Sequence, residues 1–114
     1  MKIIIRNTAH NSIDNVFEFL CNYSTSNAYK TVDEIYKYIY FLENSPYIGR
    51  YIPEMENKNF RELICKINKN STYKIIYYIS EKTNNIHIVY IYNCKQDFYH
   101  ILKTHNYFKN YFEL

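Results

Sequence analysis

Along residues 8–24 the apolar positions Ala9, Ile13, Val16, Phe17 and Leu20 recur at steps of three and four. That spacing predicts one helix with a single apolar stripe, and Thr8 is placed to cap its N-terminus through its hydroxyl. A polar break over 22–27 follows. Ala28, Val32, Ile35, Ile39 and Leu42 then form a second seam, spaced four, three, four and three, on a helix of about four turns. A break this short makes the two helices antiparallel neighbours. Ahead of them, the β-branched run KIIIR (2–6) is long enough for one strand.

Beyond residue 59 the period changes from that of helices to that of strands. FRELICKI (60–67), TYKIIYYIS (72–80) and NIHIVYIYN (85–93) are rich in β-branched and aromatic residues, separated by NKNS (68–71) and EKTN (81–84). Both separators are turn-forming and short enough for hairpins. In the second of these strands Tyr73, Ile75, Tyr77 and Ile79 point one way, and Lys74, Ile76 and Tyr78 the other. Apolar residues on both faces predict a central strand covered by helices on one side and by a partner on the other. Phe98, Ile101 and Leu102 return to helical spacing, so residues 98–114 read as a short C-terminal helix or extension, its pattern weakening from Thr104 onward. The order β-α-α-β-β-β-(α) describes one α+β domain over 1–114, an αα-hairpin packed on an antiparallel sheet.

Composition narrows the class. At 114 residues and 47% hydrophobic, the chain can build a core without staples. Its three cysteines, Cys21, Cys65 and Cys94, are scattered and odd in number, which fits small core-type residues in a reducing compartment. No apolar run approaches the roughly 18 residues of a membrane span, and the first one is too short for a signal peptide. The expectation is a soluble, cytoplasmic protein with no membrane partner. The net charge of +3 is unevenly placed: residues 1–44 carry −1 and residues 45–114 carry +4. The strand half therefore holds any surface for phosphate or an acidic partner. Most of the fifteen tyrosines read as core-edge residues, ring buried and hydroxyl wet.

With a single glycine, neither a dinucleotide fingerprint nor a phosphate-binding loop is available. His10, His87, His100 and His105 have no ligand spacing, so no metal and no cofactor is expected. What remains is a set of basic side chains, Arg50, Arg61, Lys66, Lys74 and Lys95. Arginine offers a planar fork for carboxylate or phosphate, lysine a point charge. Their simplest structural roles are pairing of Arg50 with Glu54 and of Arg61 with a strand carboxylate. The punctuation is concentrated too: Pro46, Gly49 and Pro53 lie within eight residues. Pro46 bars continuation of the second helix, Gly49 permits a turn, and Pro53 stiffens the approach to the next strand.

Leu42, Pro46, Gly49-Arg50, Pro53-Glu54 and Arg61-Glu62-Leu63 follow one another in an order that resembles the RelE/ParE superfamily of type II toxin–antitoxin toxins. The strand motif Tyr73-Lys74-Ile75-Ile76-Tyr77 and the closing Lys95-Gln96-Asp97 extend the resemblance over roughly residues 1–100. It implies the same β-α-α-β-β-β architecture and a growth-inhibiting toxin, of the plasmid-stabilisation type, neutralised by a cognate antitoxin in a hetero-oligomer. The antitoxin's C-terminal segment is expected to wrap the helical hairpin and sheet. ParE-like members inhibit DNA gyrase; RelE-like members cut mRNA on the ribosome with basic residues and a late tyrosine or histidine. Here the family's strand arginine is Lys74, and its frequent histidine is Asn93, which cannot act as a general base near neutral pH. The resemblance thus points first to gyrase inhibition without enzymatic activity. The alternatives are a ribosome-dependent endoribonuclease, with Arg61, Lys74, Lys95 and Tyr99 as catalytic candidates, and an inactive relative that only binds a partner. For a target or antitoxin surface the candidates are Arg50, Arg61, Lys74, Asn93 and Lys95.

Overall fold

The computed structural model describes residues 1–96; the expected C-terminal helix, with Tyr99, His100 and His105, lies outside them. The strands and helices are β1 (Lys2–Ile5), α1 (Asn7–Cys21), α2 (Thr25–Phe41), β2 (Arg50–Tyr51), β3 (Phe60–Asn68), β4 (Ser71–Ser80) and β5 (Asn85–Asn93). They form one five-stranded sheet in the order β1-β5-β4-β3-β2. The α+β architecture and the element order are those the periodicities predict. The sheet is antiparallel from β2 to β5, and mixed overall because β1 runs parallel to β5. The two-residue β2 has no signature of its own in the sequence; it exists because Arg50 and Tyr51 pair with Glu62 and Arg61.

One face of the sheet receives both helices. Ala9 and Ile13 of α1 and Ile35, Ile39 and Leu42 at α2 pack against Cys65, Tyr73, Ile75, Tyr77, Ile79, Ile86, Ile88 and Ile91. The opposite face carries a smaller cluster, Ile52, Phe60, Ile76, Val89 and Tyr92, roofed in part by Met55 from the loop before β3. The sequence expectation of apolar residues on both faces of β4 is met, and the 52–59 loop supplies part of the second cover.

Where β4 meets β5 the register slips. Ile76 pairs with Tyr90 but Tyr77 pairs with Ile88, leaving Val89 as the extra residue of a bulge. The first turns of α1 stitch this irregularity down. Thr8 donates its hydroxyl proton to the Val89 carbonyl, and the buried Ser12 hydroxyl accepts from Ile91 N at 3.0 Å while donating to Ala9 O at 2.8 Å. Thr8 is therefore not the N-cap; Arg6 is, with no side-chain cap bond. At α2 the cap is Ser24, whose hydroxyl accepts from Asn27 N, so the helix begins inside the polar break expected over 22–27. Asn84 closes the β4–β5 turn at φ 58°, a left-handed conformation that asparagine tolerates. Ser12→Ala should cost about 1–3 kcal/mol, because it leaves a buried N–H without an acceptor. Urea unfolding measures this, and a change within 0.5 kcal/mol would contradict the stitch.

The core also sets an alkaline limit. Burial raises the Cys65 thiol to about 12, with Cys94 nearby adding to the effect, and burial raises Tyr73, Tyr77, Tyr90 and Tyr92 as well. These groups stay neutral in the fold at a pH where the unfolded chain ionises. Stability is therefore full below about pH 9 and falls as pH rises toward 12, with Cys65 alone giving a slope of about 1.4 kcal/mol per pH unit. Denaturant midpoints at pH 8, 9.5 and 10.5 test the sign.

Candidate functional site

The punctuated segment between α2 and β3 is where side chains converge. Helix α2 ends at Phe41, four residues before Ser45-Pro46, consistent with proline's clash with the preceding turn. From β4, the buried Tyr77 reaches across. Its hydroxyl donates to Pro46 O at 2.8 Å and accepts from Gly49 N at 2.9 Å. Gly49 is needed for this approach and not for a special turn: its φ is not positive. A Cβ at Gly49 would lie 2.4 Å from the Tyr77 hydroxyl and 2.8 Å from the Glu62 carbonyl oxygen.

Arg61 and Glu62, neighbours on β3, point to opposite faces and hold the same segment from both sides. On the helix face, Arg61 Nη1 donates to Gly49 O at 2.7 Å and to Tyr47 O at 3.2 Å. Its guanidinium also sits 4.4 Å from the Tyr51 ring centroid and 5.3 Å from that of Tyr47, cation–π distances. On the other face, the Glu62 carboxylate is 3% exposed and takes Arg50 Nε and Nη2, each at 2.6 Å, with Lys74 Nζ at 3.5 Å. The structural partners expected from sequence are thus replaced. Arg50 pairs with Glu62 and not Glu54, because β2 pairing brings positions 50 and 62 side by side. Among the described residues Arg61 binds carbonyls and rings and no carboxylate.

Of the remaining candidates among the described residues, Lys74 joins Arg50 at Glu62 and none joins Arg61. Lys74 lies opposite Tyr92 on the face away from the helices, while Asn93 lies opposite Tyr73 on the helix face. The Asn93 amide oxygen accepts from Lys95 N at 3.0 Å. Lys95 is exposed in the turn after β5 and borders, with Asn15, Tyr73 and Asn93, a cavity of about 410 Å³ between α1 and the sheet end. Tyr99 lies outside the described residues. Among the described residues no His, Cys, Asp and Glu cluster could hold a metal, and no helix is long and apolar enough to cross a membrane. His10 is exposed and His87 half-buried, where burial and the Arg6 charge lower its pKa. Of the cysteines, Cys65 is buried and Cys94 is exposed, so only part of the core-type expectation holds.

Sequence reasoning missed Glu62 and Tyr77 as organisers of the segment. The signal was available in the strand period: Glu62 sits on the same face as Lys74 in an antiparallel pair, and Tyr77 is the second tyrosine of its motif.

Comparisons with known proteins agree with the fold. The family model described as ParE toxin of type II toxin–antitoxin system, parDE, matches residues 3–98. Among solved structures, the fold is similar to a chain of the chromosomal ParDE toxin–antitoxin system from P. aeruginosa, with TM-score 0.63 and 17% identity, covering 82% of this chain and 95% of that one. It is also similar to a chain of the RelBE2 toxin–antitoxin complex from Mycobacterium tuberculosis, with TM-score 0.58 and 11% identity, covering 81% and 95%. No match was found among curated proteins. The family match spans the αα-hairpin, the clamped Pro46–Arg50 segment and all five strands: the chain belongs to the ParE toxin family of type II toxin–antitoxin systems.

Proposed function

We propose that this protein is the growth-inhibiting toxin of a toxin–antitoxin pair, silenced in a hetero-oligomer with its cognate antitoxin, and that it acts in the cytoplasm by binding DNA gyrase and not by cutting RNA. The observation that carries the choice of target is the division of its basic residues. Arg61 is turned to the helix face and bonded to the Tyr47 and Gly49 carbonyls. Lys74 is on the opposite face and paired with the buried Glu62. Activating a ribose hydroxyl and stabilising the charge that develops needs several groups within hydrogen-bond reach of one substrate. The separation of Arg61 from Lys74 by the thickness of a sheet favours a toxin that binds over one that cleaves.

The antitoxin reading draws support from the family description and from the two similar structures, both parts of toxin–antitoxin systems. The surface is suited to an extended, wrapping partner. Phe19, Tyr23, Tyr29, Tyr40 and Phe41 are exposed on the hairpin. β2 pairs with only Arg61 and Glu62, so among the described residues no strand covers the outer edge of β3 beyond Glu62. A segment running over the hairpin and along that edge would cover both.

Induction of the toxin alone tests the reading. Growth should stop with DNA-damage signalling while protein synthesis continues at first, and co-expressed antitoxin should restore growth. Immediate translation arrest with mRNA cut on ribosomes would overturn the gyrase assignment in favour of the nuclease, and unimpaired growth with soluble protein would favour an inactive relative.

A further inference from the structure

The clamp around Gly49 does more than close a loop: it holds three large apolar side chains out in solvent. Tyr47, Ile48 and Tyr51 are 50%, 55% and 52% exposed. Together they present roughly 300 Å² of contact surface, the size of the largest patch on a typical monomer. Loops that expose such residues are ordinarily polar, and burying them would normally be favourable. Here the backbone is tied twice, by Tyr77 to Pro46 and Gly49 and by Arg61 to Tyr47 and Gly49. The Tyr47 hydroxyl is held in turn by Glu81, at 2.6 Å. A ridge of aromatic side chains fixed before contact loses little entropy on binding, and tyrosine and arginine are the residues that dominate protein interfaces.

Charge identifies the partner. The Tyr51 ring has two cations near it, Arg61 at 4.4 Å and Lys58 at 5.8 Å from its centroid. Neither has a carboxylate partner among the described residues: Glu62 is engaged by Arg50 and Lys74 and Glu81 by Tyr47, and no ion pair joins Lys58 to Glu54 or Glu56 of its own loop. Two positive charges beside exposed rings match a partner that brings carboxylates around an apolar centre. A stacked base fits less well, because the Tyr51 ring is already occupied by these cations.

We infer that the Tyr47–Ile48–Tyr51 ridge, with Arg61 and Lys58, is the surface through which this toxin engages an acidic, partly apolar face of its protein target. The inference rests on the reading that the toxin acts by binding a protein, but not on that protein being gyrase. The ridge lies on the segment between α2 and β3 and not on the two helices.

Two variants of the full chain, Ile48→Ser/Tyr51→Ser and Lys58→Glu, are compared with wild type for growth inhibition on induction, antitoxin binding and thermal midpoint. Both should need at least tenfold more toxin for the same growth inhibition, with antitoxin affinity unchanged within twofold. Lys2→Glu, on the opposite edge of the sheet, should behave as wild type. Lys58 is exposed, so its variant decides the matter if the double variant proves unstable. Undiminished toxicity of folded Lys58→Glu and of the double variant overturns the ridge. Purified wild-type protein is assayed for gyrase inhibition in parallel. If the variants lose toxicity but wild type leaves gyrase untouched, the ridge stands and the choice of target falls.

Discussion

Gly49→Ala is expected to destabilise the protein by about 3 kcal/mol, a fall in Tm on the order of 10 °C. The added methyl would sit 2.4 Å from the Tyr77 hydroxyl, 2.7 Å from a Tyr77 ring carbon and 2.8 Å from a backbone carbonyl oxygen. A flexible side chain could step aside, but Tyr77 is fully buried and Glu62 O belongs to the β3 backbone. Relief therefore requires moving the 46–51 segment off the sheet, which breaks the bonds to Pro46 and Gly49. Tyr77→Phe alone should cost about 1–3 kcal/mol, since it leaves the Gly49 N–H without its acceptor. The double variant should cost less than the sum, because the two substitutions damage one contact. Urea denaturation of the four proteins gives the cycle; a Gly49→Ala cost below 0.5 kcal/mol would show that the segment is not clamped as described.

Glu62→Ala should cost a similar amount, about 3 kcal/mol, at the low end for breaking a buried ion pair by removing one partner. The burden falls unequally on the two cations. Arg50 is 58% exposed and can turn to water, whereas Lys74 is 22% exposed and cannot do so freely. Replacing both partners, as Glu62→Leu/Lys74→Met, should recover at least half of the loss, because no uncompensated charge is left on the sheet face. Chemical denaturation tests both statements. If Glu62→Ala is neutral, the ion pairs are ordinary surface contacts and the segment owes its position to Tyr77 and Arg61 alone.

These two predictions concern residues whose importance was only half visible in the chain. The long elements were legible because each has a clean period: three strands of nine or ten residues and two helices with seams at threes and fours. The αα-hairpin and the strand boundaries followed directly. What periodicity could not convey was contact between distant segments. The parallel β1–β5 pairing depends on the path of two intervening helices. The bulge at Val89 depends on α1 supplying Thr8 and Ser12 to its unpaired groups. Neither leaves a local mark.

The candidate site was legible as a list but not as an arrangement. Arg50, Arg61 and Lys74 were identifiable as basic residues in the right segments. Their division between two faces follows from the period of two together with the register, and register is a tertiary quantity. Arg61 and Glu62 are adjacent and therefore point oppositely, which turns one short motif into a two-sided grip on the glycine segment. Gly49, legible as punctuation, turns out to be small for packing and not for conformation.

The claim at the centre of this account is that the toxin binds a protein and cleaves nothing. Its most direct test is a DNA supercoiling assay with purified gyrase and the toxin freed of antitoxin, run beside a cleavage assay on ribosomes programmed with mRNA. The account predicts loss of supercoiling at micromolar toxin and intact message. Unaffected supercoiling together with message cut in a manner abolished by Lys74→Ala or Lys95→Ala would contradict it.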